Sequence, residues 1–366
     1  MPKISPKQVL ILCAHRPCRS PSQRYRFEQY LGFLETQGFA FTFSYLLNEK
    51  DDALFYARGK LLSKLFILLK CTWIRLKDVA RYKSFDLIFI QREAHFLGTS
   101  YFEKKAFRSG AKVIFDFDDS IWLADTSPGN QKWEWIKSPK KFYTNIQHAH
   151  TVFAGNTYLL QEALKVNPKA ILVPTTIDTE LHFPKHELRH KNQVCIGWSG
   201  SLSTLKHFEL LIPVLKQVKE KYGDKVRFKL MGEKNYKHPE LPVESVAWTE
   251  NSEVDELNSF DIGLMPLKDD AWARGKCGLK GLSYMACEVP VVMSAVGVNI
   301  QIIRHGVNGY LAQSEEEWLQ ALSLLIEDKS LRLQLGKAAR ETVQLEYSVE
   351  RYKNTYLQTF QYAQSS

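Results

Sequence analysis

The sequence predicts an α/β protein built from two parallel-sheet domains in series. Short apolar segments alternate with helical segments through the first half of the chain, and the same alternation starts again near residue 194. This alternation is typical of strands that pair in parallel and are covered by helices. A polar, charged stretch at 178–193 lies between the two halves and predicts a linker. A chain of 366 residues can form two substantial cores.

Six strands and the helices between them are predicted in the first half from apolar runs and from helical periodicity. The predicted strands cover residues 8–14, 39–46, 85–91, 112–118, 151–156 and 170–175. The predicted helices cover residues 22–37, 54–83 (one helix or two), about 98–108, about 137–147 and 157–165.

The second half repeats this rhythm and ends in a further helix. Its predicted strands cover residues 194–200, 226–232, 245–248, 260–266 and 289–294. Helices are predicted at 204–222, which ends at Gly223, and at 347–363. We therefore expect domains at 1–185 and 186–346, and a C-terminal helix within 347–366 that packs back on the first domain.

Composition narrows the function classes. The net charge is +9, which favours anionic partners. The six cysteines form no C-x2-C pair, so reduced thiols in a cytosolic protein are expected rather than zinc or disulfides. The apolar run near the N-terminus is too short for a signal peptide. No apolar run reaches about 18 residues, so no membrane span is expected.

Residues 276–311 hold the most informative motif of the chain. Lys276 and Lys280 stand four apart at the predicted start of a helix, where two cations would share one helical face. The N-terminus of a helix favours anions, so a diphosphate would suit this place. The strand that follows ends shortly before Gly297, and open α/β sheets bind ligands at the carboxyl ends of their strands.

This segment resembles the donor-binding region of the retaining GT-B glycosyltransferases of the family numbered four, in group 1 of the glycosyl transferases. The residues that carry the resemblance are Lys276, Lys280, Tyr284, Met285, Ala286, Pro290, Val291, Val292, Ser294, Gly297, Gly306, Asn308, Gly309 and Leu311. Similar elements at 20–31, 115–122, 156–159 and 173–178 extend it over nearly the whole chain. The resemblance implies a GT-B fold, with two Rossmann-like domains facing a central cleft and a C-terminal helix crossing back.

The resemblance also implies a binding site for a nucleotide diphosphate-sugar, which is the donor substrate, and no separate cofactor. The implied donor-binding residues are Gly200, Ser201, Lys206, Trp248, Lys276, Lys280, Ser283, Gly297, Val298 and Asn299. Among these, Lys206 and Lys280 would act in catalysis by stabilising the leaving diphosphate. A solvated surface lysine is the alternative for Lys206, and a core position is the alternative for Trp248.

Two positions depart from the family pattern. Many relatives grip the donor sugar and ribose with two acidic residues spaced eight apart, and here those positions hold Gly275 and Ser283. Serine offers one short hydroxyl in place of a carboxylate. A weakened donor grip, or a pseudo-enzyme, is therefore the alternative to full activity.

Charged side chains also follow the predicted strands of the first domain, at the sheet edge that would face the cleft. The candidate acceptor or cleft residues are Arg24, Arg26, Arg92, His95, Asp118 and Asp119. Surface charge is the alternative for Arg24 and Arg26. Carboxylates at 116, 118 and 119 can indicate a metal site, but the resemblance implies transfer without bound metal. Instead, Asp118 or Asp119 would orient the acceptor hydroxyl or a basic partner, and Asp119 is the third catalytic candidate.

The stretch 54–83 is basic and amphipathic. It holds eight lysines and arginines against Asp78 alone, a local charge of +7. Leu, Ile, Phe and Trp alternate with these cations at helical spacing, as in helices that lie on anionic membranes. The pattern favours membrane contact over a core-packed helix with a solvated basic face.

We therefore expect a retaining, metal-independent glycosyltransferase with a lipid-linked or cell-surface glycan acceptor. It would be cytoplasmic and peripheral at the inner face of the cell membrane. A GT-B epimerase would need more cleft carboxylates and histidines than 116–119 supplies. A dinucleotide oxidoreductase would need G-x-G-x-x-G after the first strand, where CAHRPCRSPS has no glycine. A non-catalytic sugar-nucleotide-binding module is a further alternative; nucleic acid is not an expected partner, because no stacking aromatics mark one sheet face.

Overall fold

The computed structural model describes residues 5–57, 59–123, 138–189 and 192–365. The chain divides into two compact units, one comprising Met1–Thr175 and Tyr352–Ser366 and the other Thr176–Arg351. Among the described residues, no helix combines the length and apolar character that crossing a bilayer requires.

The first unit is built on six strands: β1 (Lys7–His15), β2 (Phe39–Leu47), β3 (Leu87–Gln91), β4 (Lys112–Phe117), β5 (Thr151–Ala154) and β6 (Ala170–Leu172). They form one sheet in the order β2-β1-β3-β4-β5-β6, with every neighbouring pair parallel. All five residues of β3 are buried, as expected for a strand covered on both faces. The chain turns in opposite directions from β1 and β3, so the loops after these strands separate and leave a crevice at the carboxyl edge.

The second unit repeats the plan with β7 (Val194–Ser199), β8 (Val226–Gly232), β9 (Val243–Ala247), β10 (Ile262–Met265), β11 (Val291–Ser294) and β12 (Tyr310–Ala312). The sheet order is β12-β11-β10-β7-β8-β9, again parallel throughout. The strand order reverses between β7 and β10, which places the ligand-binding crevice of this sheet beside the loops that follow them. The prediction of an α/β protein with two parallel sheets is confirmed.

Helices cover both sheets. In the first unit they are α1 (Pro21–Arg24), α2 (Leu31–Thr36), α3 (Glu49–Tyr56), α4 (Leu61–Arg81), α5 (Tyr101–Phe107), α6 (Pro139–His148) and α7 (Thr157–Leu164). In the second they are α8 (Leu205–Glu209), α9 (Ile212–Tyr222), α10 (Glu253–Asn258), α11 (Ala271–Arg274), α12 (Leu279–Ala286), α13 (Asn299–Ile302), α14 (Glu315–Glu327) and α15 (Lys329–Glu346). The last helix, α16 (Val349–Ser365), begins in the second unit and enters the first at Tyr352.

Two helices predicted as continuous are broken. The segment 22–37 is interrupted between α1 and α2, where Tyr25, Arg26 and Phe27 are all buried. Three consecutive side chains cannot all lie on the buried face of one helix, so the helix gives way. The segment 204–222 splits into α8 and α9 at residues 210–211, because Pro213 has no N–H to donate within a helix and is tolerated in the first turn of α9.

The C-terminal part of α16 packs on the first unit. The Tyr356 ring stacks on Tyr30 with ring centres 3.9 Å apart, and its hydroxyl donates to the carbonyl of Arg26. Phe360 meets Phe39 edge to face at 5.6 Å. The returning C-terminal helix expected from the sequence is therefore present, and buried aromatic contacts hold it in place.

Candidate functional site

The loop after β7 brings the backbone close to the carboxyl edge of the second sheet. The Gly200 N–H donates to the Met231 carbonyl at 2.9 Å, which ties this loop to the end of β8. A Cβ atom on Gly200 would lie 2.4 Å from the Trp198 ring, so only glycine fits. Ser201 follows it and is exposed. The loop thus offers backbone groups at the crevice between β7 and β10.

Three lysines converge on His207 beside this loop. His207 is buried in α8, and its pKa is lowered to about 4, first by burial and then by the charges of Lys280, Lys206 and Lys276. Lys206 is exposed, and the other two are half-buried. Nearby cations disfavour a second positive charge, which keeps the imidazole neutral at pH 7. The charges of the three predicted lysines therefore act on one side chain, and Lys206, Lys276 and Lys280 are called the lysine cluster below.

The geometry of Lys276 and Lys280 differs from the sequence expectation. The helix α12 begins at Leu279, after Gly278 in a left-handed conformation with φ of 74°. Lys276 therefore precedes the helix, and the idea that both lysines share one helical face is wrong. Their ammonium groups lie over indole rings instead, with Lys280 Nζ 5.5 Å from the centre of Trp198 and Lys276 Nζ 5.0 Å from Trp272. Both are arranged for cation–π contact as well as charge.

The helix α12 is held against β7 by Tyr284. The Tyr284 hydroxyl accepts the Ser199 N–H at 2.8 Å and lies 2.9 Å from Ser199 Oγ. Burial raises the pKa of Tyr284, so the phenol is neutral. These contacts hold α12, the helix that carries Lys280, against the end of β7.

The loop after β11 lies against the segment that carries Lys276. Gly297 has φ of 57°, and a Cβ atom there would lie 3.0 Å from the Arg274 Cα atom. Val298 precedes α13, and Asn299 is buried with its amide donating to the Ser294 carbonyl at 2.9 Å. Asn299 Oδ1 is buried and accepts no hydrogen bond from the described residues.

The remaining donor-site candidates are placed as follows. Ser283 is 5% exposed, and its hydroxyl donates to the Leu279 carbonyl at 2.9 Å. The hydroxyl proton is therefore used within α12, and Ser283 does not replace the acidic side chain that many relatives use here to grip the donor. Gly275 is buried at the end of α11, and Trp248 is half-buried after β9.

In the first unit, Arg92 draws two predicted carboxylates together. Its Nε donates to Asp118 Oδ1 at 2.7 Å and its Nη2 to Asp119 Oδ2 at 2.6 Å. Ser22 Oγ also donates to Asp118 Oδ1, at 2.7 Å, and accepts from Gln91. These residues follow β1, β3 and β4, so the cluster lies at the crevice of the first sheet.

Arg92 also sets the charge state of the cluster. Burial, the largest cause, would raise the pKa of Asp118 on its own, but the Arg92 and Arg26 guanidinium groups and the Ser22 hydroxyl together hold that pKa below its usual value. Arg92 adopts a left-handed backbone conformation with φ of 61°, uncommon for a residue other than glycine. Arg24, another candidate, is half-buried with its guanidinium 5.1 Å from the Tyr25 ring centre.

Arg26 and His95 are buried inside the first unit, which corrects the expectation that they lie at an open sheet edge. Arg26 is 1% exposed and is paired inside the unit with Asp116, where its Nε lies 3.1 Å from Asp116 Oδ1. His95 is fully buried, its Nε2 is 3.3 Å from Thr72 Oγ1, and burial lowers its pKa to about 3. Both side chains hold the core of the first unit together.

No metal centre is evident in the part of the chain that the structure describes. There, no group of three or more His, Cys, Asp or Glu side chains is arranged to hold a metal ion. The carboxylates of Asp116, Asp118 and Asp119 are instead paired with Arg26 and Arg92.

Some residues of these sites were not expected from the sequence. His207 follows Lys206 directly and is buried beside Phe208 in α8. Its place next to a candidate lysine is the sequence signal that could have identified it. Ser22 lies in α1, the first helix after β1, and His15 ends that strand with Nε2 3.0 Å from the Tyr56 hydroxyl. The proline at 21 signals a turn after β1, but no sequence pattern indicates the partner of either side chain.

The comparisons with known proteins concern the fold and one family. Residues 193–328, which hold the lysine cluster, match the sequence model of the family described as Glycosyl transferases group 1. No curated protein sequence matches the chain at a significant level. The solved structures include several that match over nearly the whole chain.

A sucrose-phosphate synthase from Thermosynechococcus elongatus matches with a TM-score of 0.72 at 14% identity, over 98% of both chains. The fold is GT-B. A glycosyltransferase from Rickettsia africae shares this fold, with a TM-score of 0.68 at 12% identity over 99% of both chains. Anabaena HepE, solved in complex with UDP and glucose, has a TM-score of 0.65 at 14% identity, over 97% of this chain and 100% of its own. In this GT-B chain, the group 1 match falls within the unit that carries the three lysines.

Proposed function

We propose that this GT-B protein is a glycosyltransferase that moves a sugar from a nucleotide diphosphate-sugar to a lipid-linked or cell-surface glycan. The observation that carries the proposal is the position of Lys280, whose Nζ lies 5.5 Å from the Trp198 ring centre beside the Gly200 loop, within the segment that matches the group 1 family. The charges of Lys206, Lys276 and Lys280 all act on His207, which supports the same site. Three cations beside the Gly200 and Gly297 loops suit the two negative phosphates of a diphosphate. HepE, which has the same fold, was solved with UDP and glucose.

The lysines would act on the leaving group. As the bond between the sugar and the diphosphate breaks, negative charge grows on the phosphate oxygens, and ammonium groups already in place stabilise it. We propose that Lys206 and Lys280 supply this stabilisation without a metal ion, and that the anomeric configuration is retained. Retention and metal independence are supported by the resemblance of residues 276–311 to retaining enzymes. If the acceptor attacks from the face of the sugar that the diphosphate leaves, the transfer needs no separate catalytic base.

The first unit would bind the acceptor. Arg92 holds the carboxylates of Asp118 and Asp119 at the crevice of the first sheet, where one of them would orient the acceptor hydroxyl. We propose that the acceptor is reached at the inner face of the cell membrane. The basic stretch 54–83, which belongs to the same unit, supports this location.

The donor is tested by thermal shift of the purified protein with UDP-, GDP-, ADP- and dTDP-linked sugars, without added metal. A ligand that binds the folded state raises its melting temperature. We expect one nucleotide to raise it, and Lys280→Ala to abolish the rise. Lys337→Ala, which removes an exposed lysine of α15, is the matched control and should respond as the wild type does.

The outcomes separate the alternatives. A shift without transfer to any glycan or lipid acceptor, together with the engaged Ser283 hydroxyl, would favour a sugar-nucleotide-binding protein without transferase activity. The absence of a shift with every nucleotide would overturn the donor site itself. Once transfer is measured, the anomeric signals of the product in NMR report retention or inversion, and activity in a chelator reports on metal dependence.

A further inference from the structure

The helix α4 buries three charged residues, Lys64, Arg75 and Asp78, on the side that packs against the first unit. Its buried residues are Lys64, Ile67, Cys71, Arg75 and Asp78. An ordinary surface helix buries its apolar stripe and exposes its charged face. Here several charged residues point into the first unit, and the opposite face must therefore be explained.

The buried side fixes the rotation of the helix. Arg75 is fully buried, and its Nη1 donates to Asp78 Oδ2 at 2.9 Å and to Ser44 Oγ at 2.7 Å. Its Nη2 donates to the Cys13 carbonyl at 2.9 Å. Rolling the helix to hide its other face would break these charge-assisted bonds and leave a buried charge without partners. The outward face is thus a fixed feature of the fold.

The outward face of α4 is apolar along its whole length. Its exposed residues are Leu62 (81%), Leu65 (50%), Phe66 (76%), Leu69 (60%), Trp73 (57%) and Leu76 (47%). Their spacing of three and four residues puts them on one stripe, which is about 21 Å long from Leu62 to Leu76. A continuous exposed stripe of large apolar side chains marks an interaction surface.

The exposed charges of residues 59–83 are of one sign, and one of them, Lys70, is paired with Asp51 of α3. Between residues 59 and 83 the exposed charged side chains are Lys60, Lys70, Lys77, Arg81 and Lys83. Asp78, the acidic residue of this stretch, is 1% exposed. Lys77 Nζ lies 3.3 Å from the centre of the Trp73 ring, so an aromatic ring and a cation share the rim of the stripe.

We propose that the outward face of α4 docks on an anionic lipid bilayer, with Phe66 and Leu69 in the acyl region and the cations among the headgroups. Apolar side chains flanked by lysine and arginine, with tryptophan at the boundary, suit the interface of a membrane that carries negative lipids. A second copy of this chain suits the face less well, because a symmetric contact would set the cations around Lys77 against each other. The docking does not require the transfer reaction, although it would supply the membrane location proposed above for the acceptor.

The test is binding of the full-length protein to vesicles, without donor or acceptor. Vesicles of phosphatidylcholine with phosphatidylglycerol should sediment the protein, and vesicles of phosphatidylcholine alone should bind it at least about tenfold more weakly. The double variant Phe66→Glu/Leu69→Glu should lose this binding at least tenfold, since carboxylates are repelled by the headgroups and costly in the acyl region. Leu345→Glu replaces a residue of α15 that is 63% exposed and should bind as the wild type does.

A second readout locates the helix in the bilayer. Lipids brominated on the acyl chain should quench part of the protein fluorescence, and that part should disappear in Trp73→Phe. Circular dichroism and an unchanged melting temperature show that the double variant folds. The proposal is overturned if anionic and neutral vesicles bind equally, if the double variant still binds, or if its main effect is to abolish self-association measured without lipid. Failure of the nucleotide thermal shift would leave this result untouched, so the two proposals fail separately.

Discussion

Gly200 and Gly232 pass each other at the carboxyl ends of β7 and β8 with no room for a side chain between them. A Cβ atom on Gly232 would lie 1.8 Å from the Gly200 carbonyl oxygen, and Gly232 has φ of 133°, a conformation that L side chains rarely adopt. Any side chain there must push the Gly200 loop away from β8. The loop that borders the lysine cluster is therefore positioned by a glycine on another strand.

We predict that Gly232→Ala lowers the affinity for the nucleotide at least about tenfold, because the displaced Gly200 loop no longer meets the phosphates. Gly223→Ala is the matched control, since Gly223 also has positive φ (54°) but open space around its Cβ position. Backbone strain of about 1–3 kcal/mol should lower the melting temperature of both variants. Isothermal titration with the nucleotide found by thermal shift distinguishes them, and equal losses of affinity would contradict the role of the loop.

A second prediction concerns stability and pH. The pKa of His207 is about 4 in the folded protein, whereas an unfolded histidine has a pKa of about 6.5. Between these values the unfolded state binds more protons, so His207 makes the free energy of unfolding fall as the pH drops from 6.5 towards 4. His207→Gln should flatten the slope measured by urea denaturation between pH 7 and 5. His238→Gln, outside the cluster, should leave the wild-type slope.

The pKa of His207 should also change when the nucleotide of the donor binds. A bound diphosphate offsets the charges of Lys206, Lys276 and Lys280, so it should raise the pKa of His207. NMR titration of the His207 ring with and without UDP measures this directly. The shift should be absent in Lys280→Ala if that variant no longer binds UDP. A His207 pKa unchanged by saturating UDP would place the nucleotide elsewhere.

The sequence rhythm predicted both sheets because fully buried parallel strands leave a strong local signal. Segments such as β3 and β11 are continuous apolar runs, and their burial on both faces requires helices between them. Two long helices near the end of the second unit were missed. The helices α14 and α15 were not expected, although Ser314 and Glu317 form a capping box that marks the start of α14.

The candidate residues could be identified from the sequence, but their positions and partners could not. The motif identified Lys276 and Lys280, but the reason given for their proximity was wrong because the helix begins after Gly278. Arg26 was expected at a ligand, yet its partner Asp116 lies 90 residues away in the chain. A local pattern shows that a charged residue follows a strand, but it does not show which distant side chain neutralises it.

A third element open to test is the ion pair inside α4. Arg75 and Asp78 are buried with 2.9 Å between Nη1 and Oδ2. We predict that Arg75→Met lowers the free energy of unfolding by about 3–5 kcal/mol, because it removes one partner of a buried pair. Arg81→Met removes a contact to the same Asp78 from an arginine that is 44% exposed, and it should cost about 0–1 kcal/mol. Urea denaturation measures both; similar losses would mean that burial does not decide the contribution.

The final prediction separates acceptor chemistry from donor binding. Asp118→Asn keeps an oxygen that can accept from Ser22 and Arg92 but removes the charge that Arg92 holds ionised. If Asp118 orients the acceptor hydroxyl, the transfer rate should fall by roughly 10²-fold or more while the nucleotide thermal shift stays unchanged.

Asp86→Asn is the control, because Asp86 lies at the amino edge of the same sheet, where it accepts the Gln8 N–H at 2.7 Å. Since the pKa of Asp118 lies below its usual value, the wild-type rate should show no loss from this group as the pH falls from 7 to 5. A rate equal to wild type in Asp118→Asn would assign acceptor orientation to another side chain, and a lost thermal shift would mean that the change disturbs the fold.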